Sequence, residues 1–423
     1  MTSYEIKAPQ TLDADIMLPA SKSISNRALI IHALAGSDTM PRNLSDCDDT
    51  RIVLQALNNR PEVIDIGAAG TAMRFLTAWL AATGGTHTLT GSDRMKHRPM
   101  GILVDTLRIL GADISYLEQE GFPPLLIKGQ KLHGGSIEIP GNVSSQFISA
   151  LLLTAPVMTE GLELRLCGDI VSRPYIDLTL CTMRQFGARA DWADSCTIRV
   201  DSTPYEERPY LIENDWTAAS YWYEIVALYD IGSARISLHG LMDGSRQGDA
   251  VVKYIFSLLG VKTTFDSAAA GEPTTVRLTR HAGCVERLDY NFINCPDLAQ
   301  TVAVTCCAIG VPFRFDGLAS LKIKETDRLM ALQQELGKLG YVVKIENDAE
   351  LIWDGQTCKA SPMAVDTYDD HRMAMAFAPL AVKTGSVRIN HPEVVTKSYP
   401  RFWDDLTSAG FHICSTATDS SEA

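Results

Sequence analysis

The chain has 423 residues, 46 % of them hydrophobic and 21 % charged, and a formal net charge of −13. That length suits two domains of about 200 residues each, with the hydrophobic share of an ordinary globular protein. The acidic balance argues against nucleic acid or an anionic membrane as partner, so a local cluster of lysines and arginines stands out against it.

Residues 1–10 lack the apolar core of a signal peptide. No apolar run approaches the roughly 18 residues of a membrane helix, so a cytoplasmic protein is expected. The ten cysteines form no Cys-x-x-Cys pair and the nine histidines show no ligand spacing. Buried free thiols and no metal are expected.

In chain order, an apolar strand (Ile16, Met17, Leu18) turns at Pro19 into a helix whose first turn holds Lys22, Ser23 and Arg27. Ser23 suits the N-cap, and Arg27, four residues on, lies on the same face. The free amides of a helix start favour an anion, and an ammonium, a guanidinium and a hydroxyl strengthen that preference. Gly67-Ala-Ala-Gly-Thr-Ala-Met-Arg74 enters the next helix, with Gly70 where a ligand could approach the backbone. Asp93-Arg-Met-Lys-His-Arg-Pro99 is a strongly cationic loop that includes Arg98.

Gly141-Asn-Val-Ser-Ser-Gln-Phe147 opens a long apolar helix, where Ser144, Ser145 and Gln146 offer neutral donors for a phosphate and a ring hydroxyl. Val171-Ser-Arg-Pro-Tyr175 repeats the construction with Ser172 and Arg173. Farther on, Cys295-Pro-Asp297 opens a helix, and Lys322-Ile-Lys-Glu-Thr-Asp-Arg328 sets Lys324, Glu325 and Arg328 close together before another that Asp327 can cap. Asp369-Asp-His-Arg-Met-Ala-Met375, with His371 and Arg372, and Thr396-Lys397 complete the set. A solvated helix start, a charged loop or a cap explains any one of these, but not their recurrence.

Helices ending in glycine before a β-rich stretch recur as well. One series ends at Gly36, Gly84, Gly161, Gly232, Gly310 and Gly385, and a second at Gly111, Gly187, Gly260, Gly340 and Gly410. The two interleave at spacings of roughly 70–80 residues, which gives a βαβαββ unit repeated about six times. The interval from Gly36 to Gly84 is short by about 25 residues. The helix at Asp49–Asn58 is kept there, but the strands after it are largely missing, so the first unit is read as truncated.

Taken together these segments resemble the 5-enolpyruvylshikimate-3-phosphate synthase family of enolpyruvyl transferases, in order, from residue 15 to 403. Lys324-Glu-Thr-Asp-Arg-Leu329 matches the family pattern completely, whereas Ala68 stands where the family has Asn, Phe75 where it has Pro, and Ser320 where it often has Asn. The resemblance implies an α/β fold, a two-domain inside-out α/β barrel of six repeats. Residues 20–212 would form the first domain and 1–19 plus 213–423 the second, with the active site in the interdomain cleft.

The same resemblance implies that the 5-hydroxyl of shikimate 3-phosphate adds to phosphoenolpyruvate and that phosphate is then eliminated, without a cofactor and in a monomer. Lys22, Ser23, Arg27, Ser144, Ser145, Gln146, Ser172, Tyr175, Asp297 and Lys324 would bind shikimate 3-phosphate. Lys22, Gly70, Arg98, Gln146, Arg328, Arg372 and Lys397 would bind phosphoenolpyruvate. Asp297 would be the base on the hydroxyl and Glu325 would carry the carbon proton exchange, with Lys22 as an alternative participant. Two other readings share parts of this pattern: an enolpyruvyl transferase acting on UDP-N-acetylglucosamine, which lacks the serine-rich acceptor set, and a non-catalytic anion-binding relative.

Overall fold

Leu12, Ala14 and Ile16 alternate with Asp13, Asp15 and Met17, so the strand Leu12–Met17 buries one face and exposes the other. The same alternation builds strands throughout the computed structural model, which describes residues 2–269, 271–361 and 363–417. The chain divides into two compact units, Ala20–Ile212 and the remainder, with the crossings after Pro19 and after Ile212. Each has its own hydrophobic core.

In each unit three helices have most of their residues buried. In Ala20–Ile212 they are Lys22–Ala35, Gly70–Ala82 and Ser145–Thr154. In the other unit they are Trp216–Leu228, Ala299–Ile309 and His371–Phe377. Every residue of Trp216–Leu228 except Thr217 is buried. A helix apolar on all sides requires a covering on all sides. That covering comes from amphipathic helices such as Gly101–Ile109, Arg173–Gln185 and Arg328–Lys338 and from sheets.

The sheets share one topology. Val63–Asp65 runs parallel to Gly85–Thr90, which pairs antiparallel with Leu125–Gly129, which pairs antiparallel with Asp113–Tyr116. Gly135–Pro140, Leu162–Cys167, Thr197–Val200 and Ala190–Trp192 repeat it. Leu288–Asn291, Phe313–Asp316, Glu350–Trp353 and Lys344–Glu346 repeat it again. A fourth copy runs Leu12–Met17, Ala234–Leu241, Thr274–Arg280 and Val261–Phe265. In the fifth, Val387–Asn390, Thr2–Lys7 and His412–Ala417 are strands, and the parallel partner has shrunk to a bridge between Val365 and Ile389.

The first repeat has helices but almost no sheet, in agreement with its short sequence. What remains is one parallel bridge, Arg42 to Leu211, with Arg42 N donating to Tyr210 O at 2.9 Å and Ile212 N to Arg42 O at 3.1 Å. After the helix Asp48–Asn59 the chain passes directly to Val63–Asp65, which belongs to the next sheet. The glycine series also misses this helix for a structural reason. Arg60, at φ +43°, takes the left-handed closing position, its guanidinium 4.7 Å over the Trp79 ring.

Candidate functional site

The motif residues gather in two clusters, one in each unit. In Ala20–Ile212 the helix Lys22–Ala35 begins two residues earlier than expected. Ser21, not Ser23, holds the N-cap, because its extended backbone (φ −61°, ψ 114°) precedes the first helical residue, Lys22. Lys22 Nζ lies 3.2 Å from Asp49 Oδ2, in the first turn of the helix Asp48–Asn59. The truncated repeat therefore keeps the helix that supplies this carboxylate.

Arg27 is 3 % exposed. Nε donates to Thr179 Oγ1 at 2.7 Å and Nη1 to the Ser23 carbonyl at 2.8 Å. Nη2 donates to Ser149 Oγ at 3.1 Å and to the Tyr175 carbonyl at 3.3 Å. All four acceptors are neutral. Desolvation lowers the guanidinium to about 10, and among the described residues no carboxylate offsets that cost. A buried cation held by neutral oxygens keeps its field for an anion from outside.

The glycine loop meets the cationic loop directly. A methyl on Gly70 would lie 2.5 Å from Arg98 Nη1 and 3.1 Å from Arg74 Nη1, so the absence of a side chain there lets both guanidinium groups approach the backbone. Arg74 donates to the Gly70 carbonyl at 3.0 Å. Arg98 is buried while Asp93, Arg94 and His97 of the same loop are exposed, so Arg98 is set apart from a solvated charge run.

Ser144 caps the helix Ser145–Thr154 by accepting from Gln146 N at 3.3 Å, while Gln146 Nε2 donates to Thr71 Oγ1 at 3.0 Å. Ser172 sits in the left-handed region at φ +53°, a conformation that costs a non-glycine residue energy. Arg173, paired with Ser172 in sequence, turns elsewhere, stacked 3.9 Å over Trp192 and bonded to the Ser195 carbonyl.

The second cluster is a network of charges. Arg328 is 2 % exposed and touches three carboxylates: Asp297 Oδ1 at 2.9 Å, Glu325 Oε2 at 2.8 Å and Asp370 Oδ2 at 2.6 Å. Burial opposes its charge, but Asp370, Glu325 and Asp297 together raise its pKa. Asp297 also accepts from Arg372 Nη2 at 2.8 Å, with Lys324 Nζ 3.8 Å away. Desolvation pushes the Asp297 carboxyl up, yet Arg372, then Lys324 and Arg328, hold it far below the usual carboxylate range. Lys397 Nζ reaches Glu325 Oε1 at 2.7 Å.

Local folding explains the placement. Asp297 stands in the turn Pro296–Leu298 before the helix Ala299–Ile309 and gives its carboxylate to arginines rather than to a cap. Asp327 caps Arg328–Lys338, so Arg328 is the first residue of that helix. Asp370 caps His371–Phe377 by accepting from Arg372 N at 2.9 Å, and the same carboxylate binds Arg328. Sequence reasoning assigned nothing to Asp370, Asp49 or Thr179. An Asp directly before an Arg-bearing helix start was the available signal for Asp370; the others are set by distant neighbours.

The sequence model described as EPSP synthase (3-phosphoshikimate 1-carboxyvinyltransferase) matches residues 6–60 and 57–406. The chain is 55 % identical over 415 residues to the 3-phosphoshikimate 1-carboxyvinyltransferase of Bacteroides fragilis, covering 97 % of this chain and 98 % of the relative. It is 36 % identical over 440 residues to that of a Sulfurovum species, covering 96 % and 99 %. The EPSP synthase structure from Acinetobacter baumannii superposes with a TM-score of 0.78 at 21 % identity, over 99 % of this chain and all of that one, a likeness of fold. No helix among the described residues is long and apolar enough to cross a membrane. On the strength of the near-complete family match and the 55 % identity, the chain belongs to the EPSP synthase (3-phosphoshikimate 1-carboxyvinyltransferase) family.

Proposed function

We propose that the chain transfers the enolpyruvyl group of phosphoenolpyruvate to the 5-hydroxyl of shikimate 3-phosphate, the shikimate-pathway step toward chorismate and the aromatic amino acids. The observation that carries this reading is the line Arg372–Asp297–Arg328–Glu325–Lys397, in which two carboxylates alternate with three cations. A base, an acid and anion anchors within one hydrogen-bonded line are what addition followed by elimination needs.

In the addition, Asp297 takes the hydroxyl proton as that oxygen bonds to C2, while C3 receives a proton from Glu325, with Lys22 as the alternative donor. The adduct then carries a methyl group. In the elimination one methyl proton returns to the donor, the C2–O bond to phosphate breaks, and inorganic phosphate leaves. Arg98, Arg328, Arg372, Lys397 and the Gly70 loop would hold phosphoenolpyruvate, with Gln146 and Lys22 beside it. Ser23, Arg27, Ser144, Ser145, Gln146, Ser172, Tyr175 and Lys324 would hold shikimate 3-phosphate.

The Lys397–Glu325 pair supports the acid role. A phosphate that took Lys397 would leave Glu325 with Arg328 as its remaining cationic partner in that line, freeing Oε1 toward the substrate. A single chain carries all of these groups, so a monomer acting in the cytoplasm suffices. The test is phosphate release. It should require both phosphoenolpyruvate and shikimate 3-phosphate, and equal or faster release with UDP-N-acetylglucosamine as acceptor would overturn the reading.

A further inference from the structure

The turn Thr367–Asp370 leads into the helix that carries Arg372, and Asp370 N closes it by donating to the Thr367 carbonyl at 2.9 Å. Its two central residues, Tyr368 at φ +53° and Asp369 at φ +56°, both lie in the left-handed region. Glycine, asparagine and aspartate favour that pattern and tyrosine does not, so the turn is strained and must be held by its surroundings.

The hold comes from the helix Arg328–Lys338. The Tyr368 hydroxyl donates to Glu335 Oε1 at 2.5 Å, and the backbone N of Asp366 donates to Glu335 Oε2 at 3.2 Å. Glu335 is 0 % exposed, and Lys338 Nζ lies 2.9 Å from its Oε1. Lys338 Nζ also pairs with Asp366 Oδ2 at 2.7 Å, while Asp366 Oδ1 accepts from Asn390 Nδ2 at 2.6 Å. Glu335 stands seven residues from Arg328, two turns along the same helix face. The turn is therefore joined to one helix at two points: Tyr368 to Glu335 and, two residues on, Asp370 to Arg328.

We propose that Tyr368 and Glu335 are positioning residues for the transfer. Their bond holds the strained turn so that Asp370 meets Arg328 and the following helix start presents Arg372 to Asp297. The inference rests on the reading of Arg328 and Arg372 as phosphoenolpyruvate anchors. If the turn relaxes, both guanidinium groups lose their setting together. Most of the residues assigned to shikimate 3-phosphate lie in Ala20–Ile212 and keep theirs.

The test compares KM for the two substrates in wild type, Tyr368→Phe, Glu335→Asp, Tyr368→Phe/Asp369→Gly and Arg372→Ala. Tyr368→Phe keeps the ring and should raise KM for phosphoenolpyruvate about 10-fold, the scale of one hydrogen bond to a charged group. Its KM for shikimate 3-phosphate should change less than about threefold, a split that a general loosening of the core would not produce. Glu335→Asp keeps the charge but withdraws it by one methylene; it should show the same split and decides the matter if Tyr368→Phe does not fold. Adding Asp369→Gly, which takes the left-handed conformation without strain, should recover about threefold of the loss. An unchanged KM for phosphoenolpyruvate in folded Tyr368→Phe, an equal rise for both substrates, or no recovery with Asp369→Gly would overturn the proposal. A wild-type KM for phosphoenolpyruvate in Arg372→Ala would instead overturn the anchor assignment beneath it.

Discussion

Arg27 and Arg328 are buried to nearly the same degree, one in each unit, yet they hold opposite company. Arg27 donates to two hydroxyls and two carbonyls, and its charge is costly where it stands. Arg328 is surrounded by Asp297, Glu325 and Asp370, and its charge is strongly favoured. Identical side chains therefore do different work. The first is a positive charge held by neutral oxygens alone, and the second is a positive charge neutralised by the carboxylates of Asp297, Glu325 and Asp370. Burial alone does not distinguish them; the neighbours do.

Removing each arginine tests that contrast at its strongest. Arg328→Met leaves three carboxylates clustered without their shared cation, and breaking a buried pair by deleting one partner costs about 3–5 kcal/mol. Urea unfolding should show that loss, with part of it regained at acid pH as the carboxylates protonate. Arg27→Met deletes hydrogen bonds to neutral acceptors and a desolvated charge together, so its loss should stay near 1–3 kcal/mol. Its larger effect should be on shikimate 3-phosphate affinity. Equal destabilisation by both variants would dissolve the comparison.

Substrate selectivity sharpens it. Arg98→Ala or Arg372→Ala should weaken phosphoenolpyruvate by about 2–5 kcal/mol and shikimate 3-phosphate far less, as read by calorimetry. Calorimetry showing both ligands weakened alike would remove the assignment of these two arginines. The smallest effect belongs to Gly70→Ala. The new methyl meets the tip of Arg98, a flexible group that can swing aside, so thermal stability should hardly move. Displacing that guanidinium should raise KM for phosphoenolpyruvate by a factor corresponding to about 1–3 kcal/mol. An unchanged KM would separate this glycine from the anion site.

How far the molecule was readable from its sequence follows from the same contrast. Lys22, Arg27, Glu325 and Arg328 lie in contiguous motifs, so their types and spacing are visible directly. The repeat count and the missing sheet were also legible, because a positive-φ glycine closes most of these helices. Arg60 in that role was not, since only the fold tells an arginine in the left-handed region from any other. The N-cap falls at Ser21 rather than Ser23 although the Ser21 hydroxyl makes no capping hydrogen bond, so the turn after Pro19 and not side-chain capping sets the helix start. Thr179, Ser149 and Asp49 were beyond reach, as each meets its cation only through tertiary packing across long stretches of chain. The stacking of Arg173 on Trp192, nineteen residues on, likewise follows from the fold and not from the motif.

The most direct test of the account is the fate of the C3 hydrogens. The reaction is run in heavy water to partial conversion, and the methylene group of the enolpyruvyl product is examined by mass spectrometry. Protonation of C3 followed by loss of one of three methyl hydrogens predicts deuterium in that methylene, and a product formed only by the slow residual turnover of Glu325→Gln. Phosphate released with a deuterium-free methylene from the wild-type protein would contradict addition and elimination, and with it the roles given to Asp297 and Glu325.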